Sequence, residues 1–152
     1  MTSKIIPMAE EHLEQVLQII ESLSDWFDTD ARNRAMPIDL QFQEVFVAED
    51  GGQIVGFITL YIAEGRVNIG WLGVHPDHHR LGIGSQLIKA AEDFCRQNGI
   101  DELAVYTLGD SVEYEPYEST RAFYLKHSFF IYQRSQTDNP GCPEEIKLKK
   151  YV

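Results

Sequence analysis

The stretch WLGVHPDHHRLGIGSQLI, from Trp71 to Ile88, decides the fold because it passes from an apolar run through a histidine-rich turn into two closely spaced glycines. Gly82 and Gly84 stand where an amphipathic segment begins, which predicts a strand, a turn and then a helix. Glycine at such a junction lets the backbone approach a ligand, and the N-terminus of a helix favours an anionic one. The stretch therefore predicts that phosphate oxygens bind at the start of this helix.

Three other kinds of glycine-containing loop can precede a helix, and they fit the sequence to different degrees. A dinucleotide-binding loop needs a third glycine, but that position is Leu87. A Walker phosphate loop needs Gly-Lys-Ser or Gly-Lys-Thr, which the chain lacks. A tight entry into the helix with no ligand stays open from the residues alone.

The remaining segments alternate between strand and helix patterns. Asp50-Gly51-Gly52 is a strong hairpin signal between two β-rich runs, and Asn98-Gly99 ends the helix that Gly82 begins. Apolar residues recur at helical spacing after Glu10 and again after Gly84. We expect the order β, α, α, β, β, β, α, β, α, β, β, which describes a mixed α/β fold with helices on both faces of one sheet.

Composition restricts the classes of function. The chain has 152 residues, 24 of them acidic and 13 basic, and its formal charge of -11 argues against nucleic-acid binding and suits a cationic partner. No apolar run is long enough to span a bilayer, and charged residues come early in the N-terminal segment, so we expect a cytoplasmic protein without membrane contact. Residues 1–152 are expected to form one domain, and Cys95 and Cys142 are too few for a disulfide framework.

The turn between the strand and the helix holds His75, His78 and His79 together with Asp77. Such residues can bind a metal, but a metal site normally takes ligands from more than one element. No further ligand from a distant element is evident in the sequence. We therefore expect a solvated or phosphate-facing turn and no metal.

Two segments carry a resemblance to a known family. LGVHPDHHRLGIGSQLI resembles the acetyl-CoA motif of the GNAT superfamily of N-acetyltransferases, in which a strand, a V-x-P turn and Q/R-x-x-G-x-G/A lead into a helix. TRAFYLKHSFF is similar to the family's later helix, with its F-Y pair. The resemblance implies a mixed central sheet of about seven strands flanked by about four helices, with acetyl-CoA as co-substrate and no metal. The chain departs from the family at His79, where Gln or Arg is usual, and at Ser128, where glycine is usual.

The resemblance also implies roles for particular residues. The strand before the turn is expected to pair its backbone with the pantetheine arm, and a backbone N–H near Gly73 or Val74 is expected to hold the oxyanion. Tyr124 matches the family's general acid, and its phenol arrives protonated at neutral pH. The residues implied in cofactor binding are Leu72, Gly73, Val74, His79, Arg80, Leu81, Gly82, Ile83, Gly84, Ser85 and Thr120.

The sequence gives less information about the general base and the acceptor amine. The strand RVNIGWLGV has no carboxylate, so deprotonation is expected to pass through water to Glu64, Asp110, Glu113 or Glu115. The acidic, aromatic loop that follows the next strand suggests an amine pocket formed by Tyr114, Glu115 and Tyr117. We expect a primary amine acceptor, small molecule or peptide, with a cationic character. A non-catalytic acyl-CoA sensor or partner subunit is the alternative, and a homodimer is left open.

Overall fold

The computed structural model describes residues 3–109, 114–138, 140 and 143–152. Within these residues the order of elements is the predicted one. The strands are β1 Ser3–Pro7, β2 Glu44–Asp50, β3 Gln53–Ala63, β4 Arg66–Val74, β5 Glu102–Leu108, β6 Phe130–Gln136 and β7 Glu144–Tyr151. The helices are α1 Leu13–Ser22, α2 Met36–Phe42, α3 Ile83–Gln97 and α4 Glu115–Lys126, with a π-helical turn, Ala31–Ala35, before α2 and short 3₁₀ turns before α1 and α3.

The described strands form one mixed sheet in the order β1-β2-β3-β4-β5-β7-β6. Neighbouring strands are antiparallel except β4 and β5, which run parallel and pair only from Val67↔Leu103 to Ile69↔Val105. Beyond Ile69 the two strands separate, so the sheet opens along part of its own length. The family-based expectation of about seven strands and four helices is confirmed.

A bulge in β4 lies at the point where the sheet opens. The register between β3 and β4 shifts between Ile58 and Leu60, and the Trp71 N–H donates to the buried hydroxyl of Thr59 at 2.8 Å. A bulge adds a residue to one strand and bends it away from its neighbours. The bend explains why β4 leaves β5 after Ile69 while it stays paired with β3.

Apolar side chains form a core on each face of the sheet. One core packs α1 and α2 against β2 and β3, with Phe57 fully buried at its centre. The other packs α3 and α4 against β3, β4, β5 and β7, with Leu87 and Leu148 fully buried. Helices therefore pack on both faces of the sheet in which β4 and β5 separate.

Two turns show how local residues set the path of the chain. Gly51 and Gly52 both have positive φ in the hairpin between β2 and β3, a conformation that favours glycine. Ser128, which stands where the family usually has glycine, has φ +72 after α4. A left-handed conformation at a residue with a Cβ costs about 1 kcal/mol, so this turn carries local strain.

No helix in the described part of the chain is long and apolar enough to cross a membrane.

Candidate active site

A cleft of about 850 Å³ occupies the opening between β4 and β5. Its walls come from β4, the turn and first residues of α3, β5, α4 and the segment that follows α1. The residues predicted for the site that line this cleft are Leu72, Gly73, Val74, His79, Arg80, Gly82, Ile83, Gly84, Ser85, Glu115, Tyr117, Thr120 and Tyr124. Leu81, predicted with them, is 51% exposed and does not line the cleft.

The backbone of β4 presents groups that β5 does not pair. The His75 N–H donates to the Val55 carbonyl at 2.8 Å, so hydrogen-bonded pairs in this antiparallel ladder recur every second residue from that point. Gly73 then pairs with Phe57 of β3, while the N–H and C=O groups of Leu72 and Val74 point to the side that β5 has left. Of the two residues expected to supply an oxyanion donor, the ladder leaves Val74 facing the cleft and directs the Gly73 N–H to β3.

The start of α3 presents a second set of backbone donors. Gly82, with φ +81, is the N-cap, and no side chain among the described residues caps the helix. The first N–H of α3 that is hydrogen-bonded to the N-cap residue is that of Gln86, which donates to the Gly82 carbonyl at 3.1 Å. The preceding N–H groups of the first turn are therefore open, and the helix dipole adds partial positive charge beside them.

The turn before α3 is held by its own histidines. The His79 Nε2–H donates to the Val74 carbonyl at 2.7 Å, and the His79 ring packs edge-on against Trp26 with centroids 5.3 Å apart. His75 Nδ1 accepts from the Asp77 N–H at 3.1 Å. Among the residues that the structure describes, no group of three or more His, Cys, Asp or Glu side chains could hold a metal ion. His79 thus contributes to the cleft mainly by fixing the end of β4.

Tyr124 lies on the opposite wall, on α4. Its side chain is 4% exposed, it packs edge-on against Phe123 and Phe129, and it lines the cleft. Burial raises the pKa of the Tyr124 phenol well above its ordinary value of 10 because the charged form is poorly solvated there. No hydrogen bond joins the phenol to any residue in the described ranges, so the hydroxyl is available to a ligand.

The N-terminal turn of α4 is tied across the cleft to the segment after α1. The Tyr117 hydroxyl donates to the Trp26 carbonyl at 2.5 Å, and the Tyr114 hydroxyl donates to the Asp25 carbonyl at 2.7 Å. Glu115 accepts a hydrogen bond from the Ser119 hydroxyl at 2.8 Å. Tyr114 and Tyr117, predicted as parts of an amine pocket, therefore use their hydroxyls to join two walls of the cleft.

The base candidates Glu64 and Glu115, named from the sequence, differ in their position relative to the cleft. Glu64 lies in the turn between β3 and β4, is 60% exposed in its side chain, forms an ion pair with Arg66 at 3.3 Å and does not line the cleft. Asp110 and Glu113 lie outside the described residues. Glu115 lines the cleft, and so does Glu145 of β7, which the sequence did not suggest.

Sequence reasoning also missed a polar pair near the start of α3. Ser85 Oγ lies 2.9 Å from His127 Nε2, and both residues line the cleft together with Lys126. Burial, and then the nearby charges of Lys150 and Lys126, lower the pKa of His127 below its ordinary value. These residues are 42 positions apart and share no local motif, so nothing in the sequence pattern connected them.

Comparison with known proteins agrees with this architecture. The chain matches the model of the acetyltransferase (GNAT) family over residues 13–129. The chain belongs to this family.

The individual relatives establish the fold of this chain but give less information about its function. A mycothiol acetyltransferase of Clavibacter michiganensis subsp. michiganensis is 35% identical over 60 residues, which cover 40% of this chain and 20% of that protein. A GNAT-family protein from Desulfovibrio desulfuricans shares the fold with a TM-score of 0.83 at 17% identity, and the match covers 99% of both chains. PaiA N-acetyltransferase of Thermoplasma acidophilum, solved in complex with coenzyme A, gives a TM-score of 0.76 at 19% identity over all of both chains.

Proposed function

We propose that the protein transfers the acetyl group of acetyl-CoA to a primary amine. The observation that carries this proposal is the open backbone edge of β4, which leads from the uncapped start of α3 to the phenol of Tyr124. A chain-like ligand with an anionic end and an amide-containing arm fits such a cleft, since backbone donors meet each part of it. When bound, acetyl-CoA supplies an acetyl group activated as a thioester.

The residues of the two walls have separate tasks in this proposal. The open N–H groups of the first turn of α3, with Gly82 as cap, hold pyrophosphate oxygens. The backbone groups of Leu72 pair with the pantetheine amides as an added strand would. The Val74 N–H is placed to stabilise negative charge that develops on the carbonyl oxygen during attack. Arg80, Ser85 and Thr120 line the same path, and we propose that they complete the cofactor site.

Tyr124 acts on the departing sulfur. The high pKa of the Tyr124 phenol keeps its proton in place at neutral pH, so the group can donate to a sulfur that gains negative charge. The same burial raises the free energy of an unprotonated CoA thiolate. A proton donor at this position therefore lowers the barrier more than it would in water. Tyr124 is therefore proposed as the general acid of the reaction.

The acceptor is proposed to be cationic before it reacts. The formal charge of -11 favours association with positive molecules, and Glu115 and Glu145 both line the cleft. The part of the acidic loop that lies in the described ranges supports the same preference through Glu115 and its neighbour Tyr117. Residues 1–152 as one acetyltransferase domain, a cytoplasmic location and the absence of a nucleic-acid partner stay predictions, and a homodimer stays open.

A CoA-binding sensor or partner subunit that catalyses nothing is the second candidate. It would use the same open edge of β4 and the same start of α3. The buried phenol of Tyr124, which has no hydrogen-bond partner among the described residues, favours the enzyme, because a binding module has no need for a proton donor at this point of the cleft.

Two measurements test the proposal. A ligand at a hundred times its dissociation constant stabilises the folded state by about 2.7 kcal/mol, so a thermal melt with and without acetyl-CoA should show a clear upward shift. Turnover of acetyl-CoA is then screened with spermidine, kanamycin, lysine and the dipeptide alanyl-lysine. No thermal shift at millimolar acetyl-CoA would remove both candidates, whereas a shift without turnover on any of the four amines would favour the sensor.

A further inference from the structure

Glu145 is a cleft carboxylate on the side of the sheet away from the proposed cofactor helices. Ile146 and Leu148 of β7, and Leu103 and Val105 of β5, are buried in the core that contains α3 and α4. Because successive side chains of a strand alternate between faces, Glu145 and Tyr106 point to the opposite face. Both still line the cleft, which therefore passes through the opening in the sheet.

The surroundings of Glu145 are polar and aromatic on this face. Burial raises the pKa of Tyr61 on β3, and Tyr106, Glu64, Asp39 and Glu145 each add to that rise because they are negatively charged or become so near it. Of these groups, Tyr106 and Glu145 line the cleft. A carboxylate beside an aromatic ring can accommodate an ammonium group by charge and by ring contact.

Asp39, Glu64 and Glu144 already have partners within the protein. Asp39 Oδ2 accepts from the Trp71 Nε1–H at 2.8 Å, and Glu64 pairs with Arg66 at 3.3 Å. Glu144, next in the chain, pairs with Arg134 at 3.7 Å. Glu145 has no ion pair or hydrogen bond through its side chain with any residue of the ranges 3–109, 114–138 and 143–152, and its carboxylate is open to the cleft.

The residues beside Glu145 in the sheet come from β5, β6 and β7. Lys147 lies two residues along the same face of β7, with its Nζ 4.6 Å from the centre of the Tyr106 ring, which draws this cation towards β5. Ser135 is the register partner of Glu145 on β6, and Leu108 is its partner on β5. An incoming ammonium group therefore meets Glu145 as a carboxylate that lines the cleft and has no ion-pair partner among the described residues.

We propose that Glu145 binds the ammonium group of the acceptor and removes its first proton, as the general base of the acetyl transfer. This inference rests on the proposed function and assigns a residue to the step that the sequence left open.

The protons balance in the following way. An aliphatic amine reaches the cleft as R–NH₃⁺, and one proton passes to the Glu145 carboxylate, directly or through one water, and from there to solvent. The freed lone pair forms the C–N bond to the acetyl carbon while the C–S bond breaks. Tyr124 gives its phenol proton to the sulfur, and the second proton of the nitrogen restores the phenol. The products are the acetamide, the free thiol of CoA and one released proton.

The test compares Glu145→Gln, Glu145→Asp and Glu64→Gln on the best acceptor of the four amines. Glu145→Gln should lower kcat/KM for the amine at pH 7 by about a hundredfold or more, since a positioned base contributes ~10²–10⁴-fold. Only the neutral amine can then react, so log kcat/KM of this variant should rise with unit slope from pH 7 towards the pKa of the amine. The wild type should be nearly flat over the same range. Glu145→Asp should keep the flat profile at a reduced rate.

Glu64→Gln removes a negative charge outside the cleft and measures the general effect of the protein's charge on kcat/KM, for which we expect a change of less than about threefold. The melting temperature and CoA affinity of each variant report whether it folds. A Glu145→Gln variant with the rate and flat profile of the wild type would overturn the role of Glu145 and leave the proposed function intact. Absence of turnover in the wild type on all four amines would overturn both. A variant that lost CoA affinity together with rate would place Glu145 in the structure of the cleft, against the proposal.

Discussion

A Cβ atom on Gly84 would lie 3.0 Å from Cε1 and 3.1 Å from Cζ of Phe123, so the start of α3 packs directly against the ring on α4. This contact gives a second reason for glycine at position 84, beside close approach to a phosphate. Either reason excludes a side chain here, and the two differ in which neighbour the side chain would meet.

The first prediction separates close approach to a phosphate from packing against Phe123. Gly84→Ala should weaken CoA binding at least tenfold, which is about 1.4 kcal/mol, and should also lower the melting temperature because the Phe123 ring has to move. Adding Phe123→Leu should restore the melting temperature while CoA affinity stays low. Calorimetric CoA titration of both variants, with Phe123→Leu alone as control, is the measurement. Full recovery of affinity in the double variant would mean that Gly84 serves only the contact between the two helices.

The second prediction concerns Tyr124. Tyr124→Phe removes only the hydroxyl, which has no partner in the described part of the chain, so packing and CoA affinity should change little. Turnover should fall by about a hundredfold, the lower end of the ~10²–10⁴-fold range for a general acid, because a thiol is a fair leaving group. Steady-state rates are compared with CoA affinity and melting temperature on the same preparation. Normal turnover would remove Tyr124 from the mechanism, and loss of folding would make it a core residue.

The third prediction concerns the hydrogen bond between Tyr117 and Trp26. Tyr117→Phe removes the donor of a partly buried bond across the cleft, at a cost of about 1 kcal/mol, and should lower the melting temperature by about 2–4 °C. Tyr114→Phe, which removes the parallel but exposed bond to Asp25, is the matched control and should have a smaller effect. An equal fall in melting temperature in the two variants would show that burial does not change how much these hydrogen bonds contribute to stability.

The fourth prediction follows from His127. Its folded-state pKa lies below the ordinary value, first because of burial and then because of Lys150 and Lys126. The unfolded chain therefore takes up the proton first as the pH falls, so this contribution to stability is present above about pH 6.5 and is lost as the pH falls through the folded-state value. His127→Gln should flatten the dependence of urea unfolding on pH between about 5 and 7. An unchanged slope would contradict the assignment.

The same residue gives a binding signature. His127 Nε2 lies 2.9 Å from Ser85 Oγ, so a pyrophosphate bound beside Ser85 would favour the protonated imidazole by its negative charge. CoA binding below about pH 7 should therefore take up protons. Calorimetry in two buffers of different ionisation enthalpy measures this uptake. His127→Gln should abolish it, and uptake that persists in the variant would have to come from another group.

Much of the fold could be predicted because its signals are local. Asp50-Gly51-Gly52 makes a hairpin, and Gly82 and Asn98-Gly99 bound α3, since each signal acts on its immediate neighbours. The path of the proposed cofactor site followed from the same stretch. These features depend on backbone conformation over a few residues, which the residue types themselves restrict.

The acceptor side could not be predicted in this way. Glu145 reaches the cleft because β7 lies between β5 and β6, and that strand order is a property of the whole sheet. Trp26 meets His79 across the cleft for the same kind of reason, since α1 and the turn before α3 belong to different layers. The hydroxyl of Tyr117 bonds to a backbone carbonyl that no spacing in the sequence connects with it.

The separation of β4 from β5 creates an unpaired strand edge in the interior of the sheet. At the rim, such an edge is a template for pairing with other molecules and promotes aggregation. Here residues of α3 and α4, together with the segments that Tyr117 and Trp26 join, line the cleft beside this edge. Because this edge lies inside the sheet and not at its rim, the protein can keep backbone groups free for a ligand while its own helices flank them.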